Sequence, residues 1–357
     1  LQPGETVDIS LPFKVEASGI IGEIGLKRFG ISYSIFAAPT FYPLVPRLIE
    51  GEWQTDAAPE AGDTTNSDIA LYDVTINAPE EFVLVASGVE VSSNPTVGAF
   101  QNKTYVSGPM RDFAFVLGPF EKILRNVGDV EIIGWVMLGH LEDGEEMMEA
   151  AAQQFSLLTN LVGQYPYPEL DLVDVPGGFG GIEYPGLVFI GTLGEFDIID
   201  PTVHEVAHQW FYGLIGNDQL LEPWLDEAVS SYWQVLYYEN FVSTGRASAL
   251  LAYNRSQVSN HSDPAQPIGY SVDTYENTRD YVLFVYTKGA LFLDQLRSTL
   301  GEETFIQFLK TYYETYRYEI ATTRDFQETA ESVCSCDLAD LFSTWVLEGG
   351  EMPSPDS

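Results

Sequence analysis

Histidine, cysteine and basic residues are all scarce in this chain of 357 residues, which has four histidines, two cysteines, and 16 Lys plus Arg against 53 Asp plus Glu. The net charge of −37 excludes nucleic acid as a partner, because phosphate binding is carried by Lys and Arg. It fits a solvated acidic surface, and the expected location is extracellular or at the cell envelope. No stretch approaches the roughly 18–20 uninterrupted apolar residues that a membrane span needs. Cys334 and Cys336 are only two apart. So small a ring argues against a stabilising disulfide, and the pair says nothing about compartment. What is present is a globular composition, 45% hydrophobic and 13% aromatic, in a chain long enough for about two domains. Leu1 opens directly onto Gln2-Pro3-Gly4-Glu5 with no signal-like start, so the expectation is a processed or trimmed piece of a longer protein.

Up to about residue 125 the pattern is β. The runs 69–76 and 82–85 are short and β-branched, breakers stand at 77–79, 87–88 and 107–109, and 55–67 has the composition of a surface loop. The texture changes near Gly144. Met148, Ala151, Phe155, Leu158 and Val162 recur at three- and four-residue steps, which gives an amphipathic helix over 144–162. Extended runs follow at 170–175 and 182–190, with Gly177-Gly178-Phe179-Gly180-Gly181 between them. Asp200 can cap the next helix, with Pro201 in its first position and Gly213 or Gly216 ending it. Further helices are expected over 223–238, 280–300, 302–316, 324–332 and 338–347, and 349–357 as a disordered tail. The expected fold class is α+β and multidomain, with an antiparallel β domain over 1–128 and an α+β domain over 129–348.

Two of the four histidines stand in His204-Glu205-Val206-Ala207-His208. At that spacing both lie on one face of a helix, one turn apart, and can point a ring nitrogen at a single metal ion while Glu205 projects to the side. A hydrolytic zinc takes three protein ligands and leaves a position for water. The expected third ligand is Glu227, with eighteen residues between it and His208. That is room for one helix to end, turn at 213–217 and return antiparallel, packing through Trp224, Leu225, Ala228 and Val229. Asp226 can orient a metal-bound histidine or serve as a helix-start carboxylate, and both readings stay open. His140 and His261 lie in polar, loop-like contexts and read as surface residues.

The HExxH pair, the eighteen-residue spacer and Glu227 within Trp-Leu-Asp-Glu-Ala together resemble the zinc site of the aminopeptidase N family of gluzincins, which includes leukotriene hydrolase. Gly180-Gly181-Ile182-Glu183-Tyr184 is similar to the family's Gly-Ala-Met-Glu-Asn segment, and Tyr286-Thr287-Lys288-Gly289-Ala290 to its Tyr-x-Lys-Gly-Ala segment. Weaker likeness extends to 72–79 and 337–345, and the opening residues resemble a point midway through the family's β domain. The resemblance implies a thermolysin-like catalytic domain behind the β domain, peptides as substrates, and one Zn2+ held by His204, His208 and Glu227. It implies Glu205 as general base and then acid, and Tyr286 as the phenol facing the oxyanion, with Tyr281 as a neighbour. It also implies that Glu183 binds the substrate's free α-amino group, in a segment where Gly180 and Gly181 let an extended peptide pair along a sheet edge.

The sequence departs from the family pattern in places. Ile182 and Tyr184 replace methionine and asparagine, and 36–42, where the family places a second amine-binding Gln or Glu, reads Phe-Ala-Ala-Pro-Thr-Phe-Tyr. Only a short helical region follows Trp345, so a more open site is expected. A missing second anchor keeps a zinc endopeptidase of the same fold open. A catalytically silent peptide-binding module is the reading from another class, and intact Glu205 and Tyr286 argue against it.

Overall fold

The computed structural model describes residues 4–17, 28–49, 51–55, 62, 67–96, 98–192 and 197–353. Most of the loop expected over 55–67, and the last four residues of the expected tail, lie outside the described residues.

Two larger antiparallel sheets build the first part, beside a two-stranded hairpin of Leu48–Ile49 and Glu52–Trp53. One runs in the order Gly30–Ser32, Ile35–Pro39, Ala114–Gly118, Val83–Ala86, and the other in the order Asp73–Pro79, Phe100–Val106, Val89–Thr96. Side chains alternate across a strand, and Ala38, Ala78, Leu84, Ala86, Tyr105 and Phe113 meet between the sheets in one core. The strand expected at 69–76 is shifted to Asp73–Pro79. Pro79 ends an edge strand opposite Phe100, where its missing N–H interrupts no ladder, so the expected breaker belongs to the strand.

A five-stranded sheet carries the second half, in the order Phe120–Val127, Val130–Met137, Glu169–Val175, Leu187–Gly191, Gly181–Ile182. The first two strands form an antiparallel hairpin turning at Gly128 (φ 61°). The next two run parallel to Val130–Met137, and Gly181–Ile182 pairs antiparallel at the edge. The division expected at 128 therefore falls in a hairpin turn, and pairing puts Phe120–Val127 with the second half. A Gly-Asp turn has the composition of a linker, which is why the two look alike in sequence. Asp171 in Glu169–Val175 is buried and accepts from the Trp135 indole N–H at 2.5 Å; burial pushes its carboxyl up to about 8.

Parallel strands need a crossover, and α1 (Leu141–Leu161) supplies one, burying Met147, Met148, Ala151, Phe155 and Leu158 in a core shared with Ile132, Val136, Leu170 and Leu172. α2 (Ile199–His208) and α3 (Trp224–Tyr237) pack beside it. Asp197 takes the Ile199 N–H at 3.1 Å. Asp200, expected as the cap, instead lies in the first turn and accepts from the Tyr238 hydroxyl. α4 (Thr244–Ser259) follows. The helix expected over 280–300 is made of three pieces: Thr278–Tyr281, a π-helical stretch Val282–Lys288, and Gly289–Leu300. The widened stretch carries Tyr286, and such bulges gather at functional sites. Gly289 lets its helix press on α3, since a Cβ there would stand 3.0 Å from the Ala228 Cα.

Buried Arg111 pins the β sheets to the second half, donating to the carbonyls of Tyr212, at 2.9 Å, and of Glu319. Cys334 and Cys336 form a disulfide, which corrects the expectation against one. Ser335 takes a left-handed conformation (φ 53°) at the end of the Thr323–Cys334 helix. This folds the chain back and brings the two Cα atoms to 5.2 Å, inside the usual span of about 4.4–6.8 Å. Among the described residues no helix is long and apolar enough to cross a membrane.

Candidate metal centre

α2 buries Val203, Val206 and Ala207 completely, and His204 and His208 stand one turn apart beside α3. The chain turns through 209–223 and comes back as α3, whose first turn holds Glu227. The two Nε2 atoms are 3.0 Å apart and lie 3.1 and 3.2 Å from Glu227 Oε2, with all three side chains buried. Ligand atoms about 2.1 Å from a tetrahedral zinc stand roughly 3.4 Å from one another. Both the triangle and its donor set, two imidazoles and a carboxylate, fit one zinc ion. His208 Nδ1 lies 3.0 Å from the Phe211 carbonyl oxygen, so that nitrogen carries a proton and Nε2 is turned to the cluster.

Burial opposes a charged imidazole at both histidines. At His204 it wins and lowers the pKa, whereas at His208 the Glu227 charge outweighs it and raises the pKa well above the usual value. Burial alone would raise the Glu227 carboxyl. The His208 charge and hydrogen bonds from both imidazoles hold it well below the usual carboxylate range instead. Glu227 thus stays anionic, as a metal ligand must.

Glu205 is 5% exposed and lies across the edge strand. A Cβ on Gly181 would stand 2.6 Å from Glu205 Oε1 and closer still to its Cγ. The glycine expected to admit a peptide backbone therefore also makes room for the Glu205 side chain. Gly180 has only the Pro201 Cβ near its own absent Cβ, at 3.7 Å. The Tyr286 hydroxyl donates to Glu227 Oε1 at 2.5 Å, and its ring stacks on His204 at 5.7 Å and 15°. Tyr281 meets Tyr286 edge to face at 5.7 Å. Glu183, 4% exposed, has a carboxylate oxygen within 4.8 Å of Glu205 and His208, and another grouping at the same limit joins it to Asp226 and Glu227.

Asp226 accepts from Asn217 Nδ2 at 2.8 Å and from Gln219 Nε2 at 2.9 Å. It thus anchors the 209–223 loop rather than a metal-side imidazole; burial, and then the Glu227 charge, push its carboxyl up to about 7. His140 pairs with Asp174 at 2.8 Å and His261 with the Asp263 backbone at 3.1 Å, and neither joins the cluster. Three polar residues escape a reading of the sequence. Gln209 accepts the Gly186 N–H at 2.9 Å and so ties α2 to the Glu183 segment; its place directly after the HExxH helix was the one available signal. Asn217 and Gln219 sit in an aperiodic loop and carry no signal at all.

The chain matches the model of the peptidase family M1 domain over residues 140–345, more than half its length. Aminopeptidase M1-C of Oryza sativa subsp. japonica is 23% identical over 303 residues, which cover 79% of this chain and 34% of that protein. Aminopeptidase B of Rattus norvegicus is 27% identical over 282 residues, covering 72% of this chain and 41% of that protein. The chain thus spans about a third to two fifths of the length of these relatives. The crystal structure of an M1 zinc metallopeptidase from Deinococcus radiodurans shares the fold, with a TM-score of 0.68 at 21% identity over 81% of this chain and 66% of that one. A mutant of it bound to a Tyr-Ser-Ala substrate gives 0.68 at 22% identity. With the HExxH pair, Glu183, Glu227 and Tyr286 all inside the matched span, the chain belongs to peptidase family M1.

Proposed function

We propose that this chain carries the catalytic site of a zinc aminopeptidase, which hydrolyses the N-terminal peptide bond of peptides. Glu183 is the observation that carries this assignment. Its carboxylate is buried within 4.8 Å of Glu205 and His208 and, in a second grouping, of Asp226 and Glu227. Buried acids at that density call for cations. His204, His208 and Glu227 would hold zinc, and Glu183 is then left to meet the ammonium of a peptide's amino terminus. The names of the relatives, aminopeptidase M1-C and aminopeptidase B, support the same activity.

Zinc, when bound, supplies a Lewis acid that polarises the scissile carbonyl and acidifies water. Glu205 stands outside the ligand triangle; it takes the proton of the attacking water and passes it to the leaving amine. The stacking of Tyr286 on His204 keeps its phenol beside the cluster. Rotation of the hydroxyl away from Glu227 gives the oxyanion its donor. Gly181–Ile182 is the edge of the five-stranded sheet and offers backbone groups to an extended peptide. A terminus held at Glu183 limits the chain that fits between it and the reacting carbonyl, which favours exopeptidase cleavage.

The test is to incubate zinc-loaded protein with an unblocked ten-residue peptide and follow the products by mass spectrometry. Successive loss of single residues from the amino end is expected. Cleavage at internal bonds would establish an endopeptidase of the same fold, and no cleavage by zinc-loaded protein would leave a peptide-binding module.

A further inference from the structure

We infer that Gln219 is the positioning residue for the amine-binding carboxylate, fixing Glu183 so that one oxygen faces the free amino terminus of a peptide. The inference rests on the assignment of Glu183 as the amine anchor. Gln219 is 2% exposed, and its Nε2 lies 3.2 Å from Glu183 Oε1 and 2.9 Å from Asp226 Oδ2. A primary amide nitrogen has two hydrogens, one for each carboxylate. That pairing also fixes which way the amide points, because the opposite flip would set its oxygen against two carboxylate oxygens.

Two consequences follow from this bridge. Glu183 and Asp226 lie in one buried cluster with Glu227, and the shared donor ties the first two carboxyl groups together. Glu183 Oε1 is also occupied by Gln219, whereas Oε2 accepts no hydrogen bond from the described residues. The oxygen left to a ligand is therefore chosen by Gln219. A bound ammonium would find an acceptor already fixed in direction, which spares the cost of ordering it on binding.

The position of Gln219 is itself held from three sides. Asn217 donates to the Glu222 carbonyl at 3.1 Å, Asp218 pairs with Arg47 at 3.2 Å, and the Leu220 carbonyl accepts the Val272 N–H at 2.9 Å. Gln219 Oε1, by contrast, is buried and accepts no hydrogen bond among the described residues. A buried acceptor left unsatisfied disfavours the fold, and leucine at this position would avoid that cost. What glutamine adds is the pair of donors aimed at Glu183 and Asp226.

The test compares a fluorogenic tripeptide with its desamino counterpart, in which hydrogen replaces the terminal amine. Zinc-loaded wild type, Glu183→Ala, Gln219→Leu and Gln219→Glu are assayed, with zinc content and melting temperature measured for each. Both Gln219 variants lose the donors, one as an apolar and one as a polar isostere. The expected result is a fall of about tenfold or more in the amine-to-desamino ratio of kcat/KM, carried by KM of the amine substrate, with the desamino rate unchanged. A merely structural loss lowers both substrates together and leaves the ratio where it was. If Glu183→Ala collapses the ratio while both Gln219 variants stay within twofold of wild type, Gln219 does not position the anchor. If Glu183→Ala leaves the ratio unchanged, the amine anchor itself is wrongly assigned.

Discussion

Gly181 and Glu205 are in such close contact that a methyl group on the glycine would stand 2.6 Å from the Glu205 carboxylate oxygen. The edge strand thus sets the place of Glu205, the general base of the proposed mechanism. Gly181→Ala should displace Glu205 and lower kcat on the order of 10²-fold, because a misplacement of about 1 Å has that effect. Zinc content should be unchanged, since the three atoms nearest to the added methyl group all belong to Glu205. Steady-state kinetics with metal analysis checks this; full turnover in the alanine variant would show that the contact does not govern the base.

Tyr286 can be tested without disturbing the packing around it. Phenylalanine keeps the stack on His204, 5.7 Å between ring centres, and removes only the hydroxyl that donates to Glu227. At saturating zinc, Tyr286→Phe should lose about 10²–10³ in kcat with little change in KM, the effect of removing one oxyanion donor. A loss confined to zinc affinity would make the hydroxyl a support for Glu227 and nothing more.

The metal centre was legible in the sequence because its geometry is local. Four-residue spacing on a helix puts His204 and His208 on one face, and an eighteen-residue return to Glu227 is a helix, a turn and a helix. The contributions of Gln219 and Gly181 were not legible. One lies in a loop without period, and the other matters for a side chain 24 positions away that only tertiary packing brings across it. The division expected at 128 falls in the turn of a sheet hairpin, which looks like a domain linker in sequence because both use Gly and Asp. The Cys334–Cys336 disulfide depends on one left-handed residue, Ser335, which composition does not announce. Asp200 sits where a cap belongs in sequence, yet Tyr238 claims it in space.

Ligand and base should separate cleanly by mutation. Glu205→Gln should keep zinc and lose turnover, because Glu205 stands outside the ligand triangle. Glu227→Gln should lose zinc, because the neutral amide no longer offsets two buried imidazoles facing a cation. Chelation of the wild type should lower its melting temperature as well as its activity, as for any ligand bound only by the folded state. Zinc loss in Glu205→Gln would overturn the division of roles.

Asp171 predicts a pH dependence of stability. Its carboxyl rises from an ordinary value of 3.8 to about 8 on burial, so between those pH values the folded state keeps a proton that the unfolded chain has released. Stability from this group is full below the unfolded pKa and falls, by roughly 1.4 kcal/mol per pH unit, as pH rises toward 8. Asp171→Asn keeps an acceptor for the Trp135 N–H and has no proton to lose. Denaturant titrations should therefore show a flatter pH profile and a more stable protein at pH 8 than wild type. Identical slopes would contradict it.

The most direct measurement is the rate at which zinc-loaded protein cleaves one fluorogenic peptide with its amino terminus free and the same peptide N-acetylated. Acetylation removes the charge that Glu183 is proposed to meet, so kcat/KM should fall by about 10²-fold or more. Equal rates would mean that no amino terminus is held at Glu183, and that the enzyme is not an aminopeptidase.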